Sequence, residues 1–159
     1  MGNSVYTVSV QTAARRTIAA VHARLPVSAV PNMYRRYLDQ VYTTARTGVI
    51  ELDGQNVFLY NDAPGRPGEA DVAFGVGVKT PFVAVGNVEP TSLPVGEVAT
   101  TTHWGSYAQL GAAHHAVIEW CRAHGRRLAG PRWEVYGHWV DDETKLRTDV
   151  FYLLIGEQA

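Results

Sequence analysis

Apolar and polar positions alternate in several stretches of the first half of the chain, and one stretch of helical spacing interrupts them. Residues 5–10 and 16–25 read as an interrupted opening strand, and residues 57–60 and 71–79 read as two more strands. From residue 28 to residue 48, apolar residues recur every three or four positions, which predicts a helix. The first half is therefore predicted to run strand, helix, strand, strand.

The second half repeats this order after a connector at residues 87–95. Its predicted elements are a strand at 96–103, a helix at about 106–124, and strands at 133–139 and 148–155. Ser106 and Gln109 have the spacing of a capping box, and Gly125 follows as a stop. One face of this helix is predicted to carry the apolar residues Tyr107, Leu110, Val117, Ile118 and Cys121.

The two halves, residues 1–86 and 87–159, are each too small to bury a core alone. The expected fold is therefore a single α+β domain over residues 1–159, built from two pseudo-symmetric βαββ halves. A groove between the halves is the expected place for a ligand.

Composition narrows the classes of function. The 14 Lys and Arg against 15 Asp and Glu give no net field for nucleic acid or a membrane surface. The single Cys121 excludes an internal disulfide and a cysteine-based zinc site. The adjacent His114 and His115 point in different directions on a helix, so they cannot chelate one metal ion together. Gly75-x-Gly77 lacks the rest of a nucleotide fingerprint. We therefore expect no metal, no cofactor, and no direct nucleic-acid or membrane partner.

The amino terminus lacks the basic region and apolar run of a signal peptide, and no apolar run approaches the ~20 residues of a membrane span. The expectation from these features is a cytoplasmic protein.

Residues 133–139 carry the candidate chemistry, because a strand here places an acid among aromatic rings. Alternation predicts Glu134, Tyr136 and His138 on one face and Trp133, Val135 and Trp139 on the other. Two interpretations of Glu134 are open: a solvated strand acid, or the polar group of an apolar pocket. In a pocket, it would serve as counter-ion to a cation or as a general acid/base. Trp133 and Trp139 are expected to pack on the second helix.

Three more candidates lie where the strand at 96–103 meets the helix. His103 and Tyr107 flank a helix amino terminus, where free N–H groups favour a polar ligand, although capping by Ser106 uses the same geometry. Trp104 would form an aromatic wall for a cationic guest. His138, near the end of its strand, is expected to be solvent-exposed.

Residues 93–155 resemble the GyrI-like small-molecule-binding family, which is also the effector-binding domain of bacterial transcription activators. The resemblance is carried by the order and spacing of Leu93-Pro94-x-Gly96, His103-x-Gly105-x-Tyr107, Trp120, Gly130, Glu134-x-Tyr136 and the strand at 148–154. The first half fits the family plan in architecture only. The resemblance implies two βαββ halves around a pseudo-twofold axis, with a cleft that takes aromatic, often cationic, molecules.

Glu134 matches the glutamate that this family carries on its penultimate strand. One branch of the family consists of hydrolases that open the cyclopropane of DNA-alkylating antibiotics. Since the first strand is expected to start near Val5, the chain resembles a free-standing member with no DNA-binding module.

The leading expectation is a bacterial protein that sequesters or senses flat, hydrophobic, cationic or electrophilic drug-like molecules. Its predicted ligand-binding residues are Glu134, Tyr136, Trp104, His103, Tyr107 and His138. The alternative is an antibiotic-resistance hydrolase in which Glu134 and Tyr136 are catalytic. A third possibility, a protein-interaction module, is also open.

Overall fold

A computed structural model describes residues 6–156, which divide into two compact units. The first unit combines residues 6–14 with residues 94–156, and the second contains residues 15–93. Antiparallel strands and two α-helices make up both units, which confirms the α+β class expected from the sequence. No helix within residues 6–156 is long and apolar enough to cross a membrane.

The second unit contains one helix and four strands. They are β2 (Thr17–Pro26), α1 (Val30–Ala45), β3 (Leu52–Asp62), β4 (Glu69–Val78) and β5 (Glu89–Ser92), with the strands in the order β3-β4-β2-β5. Val30, Leu38 and Val41 form the buried stripe of α1 at helical spacing. Tyr37 of the same helix stacks on Phe74 of β4, with ring centroids 5.0 Å apart. The helix predicted at 28–48 is thereby confirmed.

The first unit, like the second, contains one α-helix and four strands. Its elements are β1 (Ser9–Ala13), β6 (Gly96–Trp104), α2 (Leu110–Ala123), β7 (Leu128–Tyr136) and β8 (Arg147–Leu154), with the strands in the order β1-β6-β8-β7. The core of the unit joins Leu110, Ala113, Val117 and Cys121 of α2 to Ala99, Val150, Tyr152 and Leu154 of the sheet. One side of this sheet, called here the helix face, is therefore covered by α2.

The opening segment differs from its prediction. Instead of one interrupted strand, β1 pairs with β6, while β2 pairs with β4 and β5 in the other unit. Val5, the predicted start, lies outside the described residues. The connector at 87–95 contains β5, which pairs with β2. Only four residues long and mostly exposed, β5 has no alternating pattern to reveal it.

The start of α2 also differs from its prediction. A 3₁₀ turn, Tyr107–Gln109, precedes the α-helix, and the Ser106 side chain makes no capping hydrogen bond, so the capping box is wrong. Ile118 is exposed rather than part of the buried stripe. The predicted stop is confirmed, because Gly125 has φ +66° and the Arg126 N–H donates to the Cys121 carbonyl at 2.9 Å.

Register defines which side chains of the first unit share a face. Residues paired across antiparallel strands point to the same side, and Glu134 pairs with Val150, which α2 covers. Trp133 consequently lies on the opposite side, called here the far face, where it stacks on Phe151 with centroids 5.5 Å apart. The prediction that Trp133 packs on the second helix is wrong, because α2 covers the face of Glu134.

Candidate functional site

Glu134 lies on the helix face of β7 and is only 5% exposed. The Tyr136 hydroxyl donates to its Oε1 at 2.5 Å, and Nε2 of His114 lies 2.6 Å from its Oε2. A buried carboxylate is costly unless such donors replace its hydration. Two side chains of the same unit therefore hold this acid in place from a helix and a strand.

His114 reaches Glu134 because of its place on α2. It follows Leu110 by four residues and precedes Val117 by three, so it shares the inward stripe of the helix. Its Nδ1 lies 2.7 Å from the Tyr152 hydroxyl on β8. A hydrogen-bonded chain thus runs from Tyr152 through His114 and Glu134 to Tyr136.

Aromatic side chains extend from this chain of polar groups toward solvent. The Tyr107 ring meets the Tyr136 ring edge to face, with centroids 5.6 Å apart. The centroid of the Trp139 ring lies 6.3 Å from the centroid of the Tyr107 ring. Both Tyr107 and Trp139 are exposed, so a buried carboxylate lies beneath a partly exposed aromatic rim.

Trp139 joins this rim because the strand ends earlier than predicted. β7 stops at Tyr136, and the chain beyond it no longer alternates between faces. The expectation that Trp139 shares the strand face of Trp133 is therefore wrong, because Trp139 contacts Tyr107 and Trp133 contacts Phe151. His138 follows the end of β7 and is exposed to solvent, as predicted from the sequence.

His103 is buried at the junction between β6 and the 3₁₀ turn. Its Nε2 lies 2.9 Å from the Ser106 carbonyl and its Nδ1 lies 2.8 Å from the Tyr6 hydroxyl. Since a carbonyl only accepts, the Nε2–H donates to Ser106, and Nδ1 shares a hydrogen bond with the Tyr6 hydroxyl. His103 uses both nitrogens to fix the junction, and its ligand-binding role stays a prediction.

Trp104 lies on the far face, so the structure separates it from Glu134. The Arg147 guanidinium is 5.6 Å from the centroid of the indole ring. Together with Asp149 and a row of hydroxyl side chains, these residues line a groove of about 380 Å³. Alternation explains the separation, because neighbouring β6 residues point to opposite sides of the sheet.

The charges in this groove balance one another. Arg147 donates to Asp149 at 3.1 Å, and the same carboxylate accepts from the Thr102 hydroxyl at 2.7 Å. By contrast, Glu134 is buried on the helix face, and it meets an aromatic rim. Glu134, rather than the charge-balanced groove, therefore offers the chemistry that a cationic ligand requires.

Two members of the hydrogen-bonded chain, His114 and Tyr152, were not predicted as site residues. In the sequence, His114 stands out only through its neighbour His115, as half of a possible metal pair. Within residues 6–156 no group of three or more His, Cys, Asp or Glu is arranged to hold a metal. A signal was available, because a histidine interrupts the apolar stripe of α2 between Leu110 and Val117. Tyr152 similarly lies among the alternate residues of β8 whose side chains are buried.

Solved structures with the same fold include proteins of different kinds. The C-terminal domain of EcmrR aligns with a TM-score of 0.77 at 18% identity, covering 95% of this chain and 98% of that one. SAV2435, solved bound to tetraphenylphosphonium, gives 0.69 at 11% identity, covering 94% of each chain. A hydrolase from Listeria innocua gives 0.54 at 12% identity, covering 93% of this chain and 91% of that one. At these identities the likeness shows the fold alone.

Sequence comparison supplies the family. A search of curated proteins finds no match. The profile of the GyrI-like small molecule binding domain, however, matches residues 6–154, which is nearly the whole chain. Because the family profile matches residues 6–154, this chain belongs to the GyrI-like small-molecule-binding domain family.

Proposed function

We propose that this protein binds aromatic, hydrophobic, cationic small molecules, with the Glu134 carboxylate as counter-ion. The observation that carries the proposal is a carboxylate only 5% exposed beneath an aromatic rim. A cell would use such binding to sequester or sense a toxic compound.

The preference for a cation follows from burial and from the rim. A charge removed from water interacts more strongly with an opposite charge, because the surroundings screen it less. The faces of Tyr107 and Trp139 add attraction, since aromatic rings present negative density to a cation. Because both rings are partly exposed, a ligand reaches them without disrupting the core.

The comparisons support the same class of ligand. Membership in the GyrI-like family makes small-molecule binding the general function of the domain. Tetraphenylphosphonium, held by SAV2435, is a cation surrounded by aromatic rings. It is therefore the first probe to use with this chain.

Isothermal titration calorimetry tests the proposal directly. Tetraphenylphosphonium should bind at least roughly tenfold more tightly than a neutral triaryl compound of similar size, a gap of about 1.4 kcal/mol. Equal affinity for the two would remove the counter-ion role, and absence of any binding would contradict the proposal as a whole.

A hydrolase is the second candidate, and the chain of hydrogen bonds from Tyr152 to Tyr136 favours it. In this mechanism Glu134 accepts a proton from water as the water oxygen bonds to a cyclopropane carbon of a DNA-alkylating antibiotic. The ring bond breaks toward the electron-accepting part of the substrate, which then takes up a proton. Tyr136 assists by donating its hydroxyl hydrogen bond.

Mass spectrometry separates the two candidates, because a hydrolase releases an alcohol heavier by one water and a binding protein returns its ligand intact. If the chain is a hydrolase, Glu134→Gln should lose roughly 10²–10⁴-fold in rate and Tyr136→Phe should lose less. Intact alkylator recovered from the wild type, or full turnover by Glu134→Gln, would leave only the binding function.

A further inference from the structure

We propose that His114 sets the charge selectivity of the Glu134 site. A neutral imidazole leaves the carboxylate free to attract a cation, and a protonated imidazole cancels its charge. The inference rests on the proposed function, because it concerns the same carboxylate. It adds a residue that sequence reasoning did not place in the site.

Proton positions follow from the chemistry of the partners. An ionised carboxylate only accepts, so at 2.6 Å the His114 Nε2–H donates to Glu134. This leaves Nδ1 as the atom that gains or loses a proton. Nδ1 lies 2.7 Å from the Tyr152 hydroxyl.

Tyr152 allows His114 to change charge without moving. A tyrosine hydroxyl both donates and accepts, so it donates to Nδ1 of the neutral ring and accepts from Nδ1–H of the cationic ring. Every hydrogen bond of the ring survives in both states. Protonation therefore changes the charge next to Glu134 while the geometry stays the same.

The consequence for a ligand is electrostatic. While His114 is neutral, Glu134 contributes a full negative charge at the base of the aromatic rim. Once His114 is protonated, the two form an ion pair of zero net charge at 2.6 Å, and an incoming cation meets an added positive charge. Histidine is the side-chain type whose ordinary pKa lies nearest neutral pH, which determines the pH range to test.

Other charged or titratable groups lie on the helix face beneath α2. They are Arg132, Glu134 and Tyr136 on β7, Tyr152 on β8, and Glu97 and His103 on β6, with Tyr6 against His103 and Arg126 paired to Glu97. Among these residue types, histidine is the one whose ordinary pKa lies between pH 5.5 and 8. The contributions of His103 and of Glu134 itself therefore have to be separated from that of His114.

The experiment measures the affinity for tetraphenylphosphonium by calorimetry from pH 5.5 to pH 8. For the wild type, affinity should fall by about tenfold in total as His114 becomes protonated, since linkage is reciprocal. Buffers of different ionisation enthalpy should reveal the release of roughly half a proton per cation bound at the midpoint of that change. A neutral triaryl compound should bind with no such dependence.

Two variants assign the effect. His114→Gln keeps an N–H donor near Glu134 but does not titrate, so its affinity should be nearly constant with pH. His115→Gln is the matched control, because His115 is the next residue on α2 and is exposed. It should keep the wild-type profile.

Nuclear magnetic resonance of the wild type gives an independent readout that needs no variant. The titration midpoint of the His114 ring should move to lower pH when tetraphenylphosphonium saturates the site, by about one pH unit for a tenfold preference. This measurement tests the link between cation binding and protonation of His114 even if His114→Gln fails to fold.

Distinct results separate the two proposals. Tight cation binding that does not change with pH, or an unmoved His114 midpoint, would overturn the selectivity role and leave the binding function intact. If the affinity of His114→Gln changes with pH as that of the wild type does, the role of His114 is overturned and the pH dependence belongs to His103 or Glu134. Absence of cation binding at every pH would overturn both proposals.

Discussion

The substitution Glu134→Gln tests the proposed site with the smallest change of shape. One carboxylate oxygen remains as the amide carbonyl, and the other becomes an NH₂ group. The Tyr136 hydroxyl can still donate to the carbonyl oxygen. A tautomer shift lets His114 accept from the amide at Nε2 and donate from Nδ1 to Tyr152. The fold should therefore survive while the negative charge is lost.

The expected magnitudes follow from these contacts. Loss of a desolvated charge facing a cation costs ~2 kcal/mol, which is roughly thirtyfold in affinity. An imperfectly repaired hydrogen bond at a buried group costs about 1–3 kcal/mol in stability. At this chain length each 1 kcal/mol lowers Tm by roughly 2–4 °C. Affinity and stability should therefore change by separable amounts.

Calorimetry with tetraphenylphosphonium at pH 7.5 and a thermal melt measure both quantities. Glu143→Gln is the matched control, since this glutamate is exposed in a surface turn and should leave affinity unchanged. A neutral triaryl compound should bind Glu134→Gln and wild type equally. If the Glu134→Gln variant binds the cation as tightly as wild type, the counter-ion argument is refuted.

Three further predictions concern other parts of the chain. Burial raises the pKa of the Cys121 thiol, so at pH 8 iodoacetamide should alkylate the native protein far more slowly than the denatured protein, and faster as the pH increases. Tyr42→Phe removes the hydroxyl that donates to Asn56 at 2.5 Å and should cost about 1 kcal/mol in a denaturant melt; an unchanged midpoint would show that bond contributes nothing. Replacing the surface loop at residues 64–68 with a flexible segment of equal length should lower Tm by only about 2–4 °C, although the Val27 N–H bonds to Gly68. A fall beyond about ten degrees would mean that the loop is packed.

Much of the secondary structure was predictable because its signals are local. The stripe of α1 and the stop of α2 at Gly125 are written in residues three or four positions apart. β4 alternates large apolar side chains with small ones, and β8 contains a continuous apolar run that follows polar residues, so both strands could be predicted. β5 is too short to show a pattern, and the split between β1 and β2 depends on partners far along the chain.

The site shows the same division. Alternation predicted that Glu134 and Tyr136 share a face, and the structure places the Tyr136 hydroxyl on the Glu134 carboxylate. Alternation also separates Trp104 from His103, yet both were expected at one site. Neighbours along a strand point to opposite sides of the sheet, so only one of the two can lie on the helix face.

Which residues share a side of each strand could be read from the chain alone, because the side-chain period is a property of the backbone. The sequence did not determine which side α2 would cover, since that depends on how the apolar stripe of the helix packs on the sheet. Tertiary structure made that choice, and it placed His114 of α2 and Tyr152 of β8 on the buried carboxylate of Glu134. Hydrogen bonds between residues 20 and 38 positions apart have no local signature, so only the packed helix could bring these groups together.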